Sequence, residues 1–175
     1  MEDSPKFAVF GGGSWATAIV KMLCENLDQV GWYMRNVDAI KHIKKEQHNP
    51  NYLSAVEFNT NKLKLSNDIN EMVEYADYLV FVIPSAFIHQ ELEKLKASLD
   101  GKVIISAIKG IVPESSLIVG EHFNTYLNVA FDDIGVISGP CHAEEVAEEK
   151  LSYLTFSGID LGTTRQIASL FSCEY

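Results

Sequence analysis

The feature that most constrains the fold is a glycine-rich turn near the start of the chain. Residues 7–10 (FAVF) are apolar and β-prone, and they run directly into Gly11, Gly12 and Gly13. After the glycines, apolar side chains recur at the spacing of one helical face: Ala16, Ile19 or Val20, Leu23 and Leu27. The pattern predicts a strand, a tight turn and a helix in immediate succession.

The spacing Gly11-x-Gly13-x-x-Ala16 is the alanine variant of the dinucleotide-binding fingerprint. Gly11 permits a turn at φ values that a side chain resists. Gly13 has no Cβ, so a pyrophosphate can approach the backbone, and Ala16 lets the helix lie close to the sheet. The N–H groups of the first helical turn lack internal partners and attract an anion. A flexible turn without a ligand is the alternative, and the strand before and helix after the glycines favour the nucleotide site.

Strand and helix patterns alternate along the rest of the chain. Further strands are predicted at residues 30–34, 62–66, 78–83, 103–106, 134–138 and 151–157. Further helices are predicted at 37–46, 69–75, 86–98, 114–124, 142–149 and 160–171. This alternation predicts one α/β domain over residues 1–175, with a doubly wound, mostly parallel Rossmann-type sheet and helices on both faces.

Charge and cysteine content narrow the class of protein. A net charge of −10 argues against a nucleic acid or a membrane surface as partner, because both require basic patches. No apolar run approaches the ~18 residues of a membrane span, and the first residues lack the pattern of a signal peptide. The odd number of cysteines, without CxxC spacing, fits reduced thiols. The expected location is the cytoplasm.

The end of the second predicted strand bears on the type of nucleotide. In NAD-binding domains of this kind an acid about 20 residues after the glycines accepts hydrogen bonds from the ribose. Here the strand ends in Met34, Arg35 and Asn36. Arg35 could meet a 2′-phosphate and stack on adenine, so we expect NAD(P)H as cofactor, with NADP(H) slightly favoured. Asp38 follows three residues later, so NAD remains an alternative cofactor.

Two further strand ends carry candidate residues. Pro84 ends the apolar run 78–83 at the edge where parallel sheets bind ligands. Lys109 follows the strand 103–106. An ammonium group there would stabilise negative charge on the oxygen of a carbonyl undergoing reduction, whereas a nicotinamide would carry the hydride. A lysine exposed on a loop is the alternative.

Histidine and cysteine spacing predicts neither a metal site nor a thiol nucleophile. His42, His48, His89 and His122 do not follow a metal-binding pattern. Cys141 and His142 are adjacent, and neighbouring residues rarely face each other as a catalytic pair does.

Four motifs, in order along the chain, resemble those of the bacterial NAD(P)-dependent glycerol-3-phosphate dehydrogenases. They are GGGSWATA at 11–18, HNPNYL at 48–53, AIKGI at 107–111 and SGPCHAEEVA at 138–147, and the resemblance extends over residues 6–175. It implies reversible hydride transfer between dihydroxyacetone phosphate and sn-glycerol 3-phosphate, which supplies phospholipid synthesis.

The resemblance also implies roles for individual residues. With those argued above, the expected cofactor contacts are Gly11, Gly13, Ser14, Trp15, Arg35, Pro84, Lys109 and Ala143. Lys109 is the expected catalytic residue in this chain, and the expected substrate contacts are Lys109, Gly139 and Cys141. Two positions depart from the family pattern: Cys141 stands where Ser or Thr is usual, and Ser54 where Pro is usual.

In the family, a helical domain follows that carries the acid/base lysine and most of the phosphate-binding groups. This chain stops at Tyr175, so the expectation is a cofactor-binding domain without its C-terminal helical substrate domain. The isolated chain should bind nucleotide with little or no turnover, and the longer protein, which could be a homodimer, would be the enzyme. Two alternatives remain open: a ketopantoate- or 6-phosphogluconate-type dehydrogenase domain, and a stand-alone NAD(P)-binding sensor.

Overall fold

The computed structural model describes residues 5–174. One sheet has the strand order β3-β2-β1-β4-β5-β8-β9. Its strands are β1 (Phe7–Phe10), β2 (Val30–Tyr33), β3 (Leu63–Ser66), β4 (Tyr78–Phe81), β5 (Val103–Ser106), β8 (Ile134–Ser138) and β9 (Thr155–Ser157). The strands β6 (Ile111–Val112) and β7 (Leu117–Ile118) form a separate hairpin.

The helices are α1 (Ser14–Asn26), α2 (Val37–Glu46), α3 (Ile69–Tyr75), α4 (Ser85–Leu92), α5 (Val119–Leu127), α6 (Ala143–Ala147) and α7 (Leu161–Leu170). Short 3-10 turns lie at Thr60–Lys62 and Phe131–Asp133. In the described part of the chain, no helix is both long and apolar enough to cross a membrane.

All neighbouring strands pair in parallel except β8 and β9, which are antiparallel. The sheet is buried on both faces, because alternate residues of β1 enter different cores: Phe7 and Val9 pack with α1, α2, α6 and α7, and Ala8 and Phe10 with α3, α4 and α5. The predicted doubly wound sheet with helices on both faces is confirmed.

β1 pairs with β2 on one side and with β4 on the other, so the strand order reverses at β1. The helix after β1 and the helix after β4 therefore lie on opposite faces of the sheet. A crevice opens between them at the carboxyl ends of the two strands, which is where open α/β sheets bind their ligands.

Several predicted boundaries were wrong. The helix predicted at 86–98 ends at Leu92, and its continuation is a turn in which the Asn70 carboxamide accepts the N–H groups of Lys96 and Ala97. The helix predicted at 114–124 begins only at Val119, because the preceding residues form the β6–β7 hairpin. Ser116, with a positive φ of 57°, lies in the turn of this hairpin.

The last predicted elements are shorter than expected. The strand predicted at 151–157 is reduced to Thr155–Ser157, and the helix predicted at 142–149 to Ala143–Ala147. Leu151 and Tyr153 remain exposed before β9. Their apolar character produced the longer strand prediction, although neither side chain enters the core.

Candidate functional site

A cleft of about 740 Å³ lies at the crevice between β1 and β4. Its wall is formed by the glycine turn, the end of β2, the start of α4 and part of the loop that follows α2. The structure brings together in this wall most of the predicted cofactor residues: Gly11, Gly13, Ser14, Trp15, Arg35 and Pro84.

Gly11 is fixed between two strands. Its N–H donates to the Tyr33 carbonyl at 3.1 Å, and its own carbonyl accepts the Trp32 indole N–H at 2.7 Å. Its φ is +141°, and a Cβ here would lie 2.7 Å from the carbonyl oxygen of Val82. Only glycine satisfies both the conformation and this close approach.

Gly13 is constrained differently. A Cβ at Gly13 would meet no atom within 4 Å, and its φ of −83° suits any residue. The protein itself therefore has no packing reason to keep this position bare. The empty space in front of Gly13 is part of the cleft, so a ligand that approaches the backbone is the physical reason that remains.

The N-terminus of α1 is left open toward an anion. Gly13 is the N-cap and so provides no side-chain cap, and the first turn has no acidic residue. Both the backbone N–H and the hydroxyl of Thr17 donate to the Gly13 carbonyl, at 3.0 and 2.9 Å. The earlier N–H groups are thus available, with the positive end of the helix dipole, for a phosphate. These residues fit a dinucleotide pyrophosphate.

A buried asparagine ties the loop after α2 to the glycine turn. The fully buried Asn49 donates to the Gly12 carbonyl at 3.2 Å and to the Thr17 hydroxyl at 2.9 Å. Its side-chain oxygen accepts the N–H of Asn51 at 3.0 Å. These bonds hold Asn51 and the neighbouring Tyr52 in the cleft wall. Sequence analysis included Asn49 only as part of the motif at 48–53 and missed this tether.

The other end of the cleft is built from side chains. The Nε of Arg35 lies 3.3 Å from Oε2 of Glu91, and its guanidinium carbon lies 5.6 Å from the centroid of the Phe87 ring. Oε1 of Glu91 accepts the Tyr33 hydroxyl at 2.8 Å and also contacts the Lys94 ammonium. Burial and the neighbouring Glu91 carboxylate raise the pKa of Tyr33 well above its ordinary value, so this phenol stays protonated as a donor.

Sequence reasoning missed Phe87 and Glu91. Both belong to α4, whose pattern predicted only an ordinary helix. Glu91 is a single charge on that helix, and charged residues are almost always exposed. Its side chain is nevertheless only 1% exposed. A signal was present in the opposite charge of Arg35, but no pattern in the sequence pairs the two.

Lys109 lies beside the cleft and not in its wall. The N–H of Ala107 donates to the Phe81 carbonyl at 2.9 Å, and a Cβ on Gly110 would lie 3.7 Å from the Ser85 hydroxyl. These contacts bring the loop after β5 next to the start of α4. Lys109 is exposed and makes no hydrogen bond or ion pair with any residue between 5 and 174. Its ammonium is available to a ligand at this edge.

Gly139, Cys141 and Ala143 follow β8 and also lie outside the cleft wall. At Gly139, with φ +149°, a Cβ would lie 2.5 Å from the Tyr153 carbonyl oxygen. The Cys141 thiol donates to that same carbonyl at 2.9 Å. Ala143 is buried among the side chains that pack with α1. The bare Gly139 therefore has a packing reason within the chain itself.

The cysteine and histidine side chains are the remaining candidates for chemistry in the described residues. Cys24, Cys141 and Cys173, all within residues 5–174, are not joined to one another by a disulfide. Burial raises the pKa of Cys24 to about 12, which makes that thiol unreactive. Within residues 5–174, no group of three or more His, Cys, Asp or Glu side chains is placed to hold a metal ion.

Comparison with known proteins agrees with the motifs. Residues 6–162 match the family described as NAD-dependent glycerol-3-phosphate dehydrogenase N-terminus. The chain is 33% identical over 170 residues to the glycerol-3-phosphate dehydrogenase (NAD(P)+) of Oceanobacillus iheyensis, covering 97% of this chain and 49% of that protein. It is 32% identical over 178 residues to the enzyme of the same name from Streptococcus sanguinis, covering 99% and 51%.

A solved structure extends the similarity to the fold. The glycerol-3-phosphate dehydrogenase of Plasmodium falciparum superposes with a TM-score of 0.86 at 24% identity, over 99% of this chain and 52% of that one. The chain thus spans about half the length of the curated relatives it matches. It belongs to the NAD-dependent glycerol-3-phosphate dehydrogenase family and corresponds to the NAD(P)-binding N-terminal domain of those enzymes.

Proposed function

We propose that this chain is the cofactor-binding half of an enzyme that reduces dihydroxyacetone phosphate to sn-glycerol 3-phosphate with NAD(P)H. The observation that supports nucleotide binding is the bare, unobstructed Gly13 at the open N-terminus of α1, and the choice of reaction is supported by the family to which the chain belongs. Gly13 offers a phosphate-sized approach to backbone donors that no packing requirement of the protein explains.

The residues of the cleft would divide the work of binding. Backbone N–H groups from Gly13 to Trp15 would hold the pyrophosphate, and Gly11 makes the turn that presents them. Arg35 would meet the adenosine end, and Pro84 would border the cofactor where β4 gives way to α4. When bound, the nicotinamide supplies the hydride, and the protein supplies position and electrostatic field.

Lys109 is the catalytic residue proposed in this chain. Its free, exposed ammonium lies on the loop beside the start of α4. There it would stabilise the negative charge that develops on the carbonyl oxygen as hydride arrives. Gly139 and Cys141 would line the substrate side, and Ala143 the cofactor side, of the same edge.

A second, helical domain would complete the site with the acid/base lysine and most of the phosphate-binding groups. On this view the 175-residue chain binds nucleotide with little or no turnover. The longer protein would be a cytoplasmic, homodimeric enzyme that supplies phospholipid synthesis.

NADP(H) is the proposed slight preference, because the end of β2 carries Arg35 in place of an acid. The terminal nitrogens of the Arg35 guanidinium make no hydrogen bond to the described residues, since only Nε is paired with Glu91. Replacement Arg35→Ala should therefore lower the affinity for NADPH relative to NADH. An unchanged ratio would remove the preference and leave the binding site in place.

The test uses both the chain and its longer form. Calorimetric titration of the chain with NADH and NADPH should give saturable binding, and a flat trace for both would end the proposal.

In the longer protein, Lys109→Ala should slow oxidation of NADPH by dihydroxyacetone phosphate by a factor of ~100 or more. The exposed Lys96 provides the matched control, Lys96→Ala, with unchanged rate. Turnover of ketopantoate in place of dihydroxyacetone phosphate would assign the protein to another reductase class.

A further inference from the structure

The charged cluster at the Arg35 end of the cleft has a carboxylate that the proposed function does not use. We propose that Glu91, acting through Arg35, is a specificity-determining residue that limits the preference for a 2′-phosphate and so allows both nucleotides to bind. This inference rests on the proposed function, because it concerns the nucleotide that the cleft would hold.

Glu91 reaches the cluster from another part of the chain. It lies on α4, 58 residues after Tyr33, which donates its hydroxyl to Oε1 at 2.8 Å. Its side chain is 1% exposed, and Oε2 faces the Nε of Arg35 at 3.3 Å. Glu91 borders the cleft, but both of its carboxylate oxygens already face Tyr33, Lys94 and Arg35. It acts on a ligand through the charge and position of Arg35.

Arg35 is held in a way that leaves its outer edge free. Only its Nε meets Glu91, its guanidinium lies over Phe87, and its side chain is 54% exposed. The two terminal nitrogens have no hydrogen-bond partner among residues 5–174. This edge is suited to a phosphate, because guanidinium groups bind phosphate oxygens in pairs.

The charges in the cluster determine how strongly such a phosphate is held. Arg35 and Lys94 contribute two positive charges, and Glu91 removes one of them. A 2′-phosphate on Arg35 would be attracted by both cations and repelled by the buried carboxylate between them. At such separations one unit charge changes an equilibrium constant by a factor on the order of ten. A nucleotide with a free 2′-hydroxyl would barely sense the difference.

The test is the replacement Glu91→Gln, which keeps the size of the side chain and an acceptor for the Tyr33 hydroxyl while it removes the charge. Calorimetric titration with NADP+ and NAD+ should show an NADP+ affinity about tenfold higher relative to NAD+. The gain should shrink as the salt concentration is raised from about 0.05 M to about 0.5 M, because added salt screens the interaction between the charges.

Two controls isolate the route through Arg35. The first control is Glu93→Gln, two residues after Glu91, at a side chain that is 67% exposed. It should leave the ratio of NADP+ to NAD+ affinity unchanged. In the double variant Arg35→Ala with Glu91→Gln, the gain over Arg35→Ala alone should disappear. A gain that persists there would show that Glu91 acts independently of Arg35 and would overturn the proposal.

The outcomes separate this inference from the proposed function. If the unaltered chain binds both nucleotides and Glu91→Gln leaves their ratio unchanged or lowers it, the inference is wrong and the proposed function stands. If the unaltered chain binds neither, both are wrong. Should Glu91→Gln fail to fold, as judged by circular dichroism, Lys94→Gln takes its place. That change removes a half-exposed cation and should lower the ratio severalfold, and a constant ratio would overturn the inference.

Discussion

The two ends of the cleft are built from different materials. At the glycine turn the wall is backbone: Gly11 is locked between the carbonyls of Tyr33 and Val82, and the start of α1 presents its N–H groups. At the Arg35 end the wall is a cluster of side chains from β2, α4 and the turn after it. A backbone site is insensitive to most substitutions and to pH. A cluster of charges can be altered by a single substitution.

The largest expected effect is a loss of nucleotide affinity on substitution at the glycine turn, where Gly13 and Gly11 should respond differently. Gly13→Val should lower nucleotide affinity about a hundredfold, because its methyl groups would occupy the space through which a phosphate reaches charged hydrogen bonds. The thermal unfolding midpoint should stay within a few degrees, since a Cβ at Gly13 meets nothing within 4 Å. Calorimetric titration and a melting curve measure both quantities.

Gly11→Ala is the matched comparison for Gly13→Val. Its Cβ would lie 2.7 Å from the Val82 carbonyl oxygen, at a φ of +141°. It should cost about 2–3 kcal/mol of folding free energy, because strain and a backbone clash combine. Equal losses of stability in the two variants would contradict the assignment of Gly13 to ligand approach.

The second prediction concerns the tether of the glycine turn. Asn49→Ala should lower the free energy of unfolding by about 2 kcal/mol, because it leaves buried partners of the Asn49 carboxamide unsatisfied. Urea titration gives the free energy directly. Asn61→Ala, at an exposed position, serves as control and should change stability by less than ~0.5 kcal/mol. A loss as small as the control's would show that the loop is held by other contacts.

The smallest expected effect probes the charged end through pH. Tyr33→Phe should cost about 1 kcal/mol at neutral pH, through loss of the hydrogen bond to Glu91. The pKa of Tyr33 is raised by folding, so its contribution is complete below the unfolded-state pKa of ~10 and is lost as pH rises beyond it. The stability gap between the two proteins should therefore narrow in alkaline solution.

The control for this pH dependence is Tyr52→Phe, at the half-exposed tyrosine of the same cleft. Urea midpoints at pH 8 and at pH 10.5, values chosen as roughly below and above the unfolded tyrosine pKa, give the comparison. A constant gap between Tyr33→Phe and the unaltered protein would mean that the Tyr33 phenol is not held protonated by its surroundings.

The sequence was sufficient for the features that arise from contiguous residues. The glycine turn, the parallel sheet and the expected position of Arg35 at the end of β2 follow from local pattern and the periodicity of strands and helices. The hairpin β6–β7 was not predicted from the sequence. Its turn contains a serine with positive φ, Ser116, at a position where a glycine or asparagine would have indicated a turn.

The contacts that complete the cleft could not be predicted in the same way. Asn49 and Glu91 are buried polar residues whose partners lie 32 and 58 residues away, at Thr17 and Tyr33. Only the packing of the whole sheet brings such pairs together. At Gly139 the structure adds an explanation that the motif does not contain, namely the close approach of the Tyr153 carbonyl.

The distance along the chain between Arg35 and Glu91 has a consequence for segment exchange in protein engineering. A graft that replaces residues 30–46 with the same stretch of a relative would bring in a new strand end but keep the host's carboxylate on α4. If the incoming segment lacked a cation, the buried Glu91 carboxylate would lose one of its two cationic partners and keep only Lys94. Chimaeras intended to change nucleotide preference should therefore transplant α4 and Lys94 together with the end of β2.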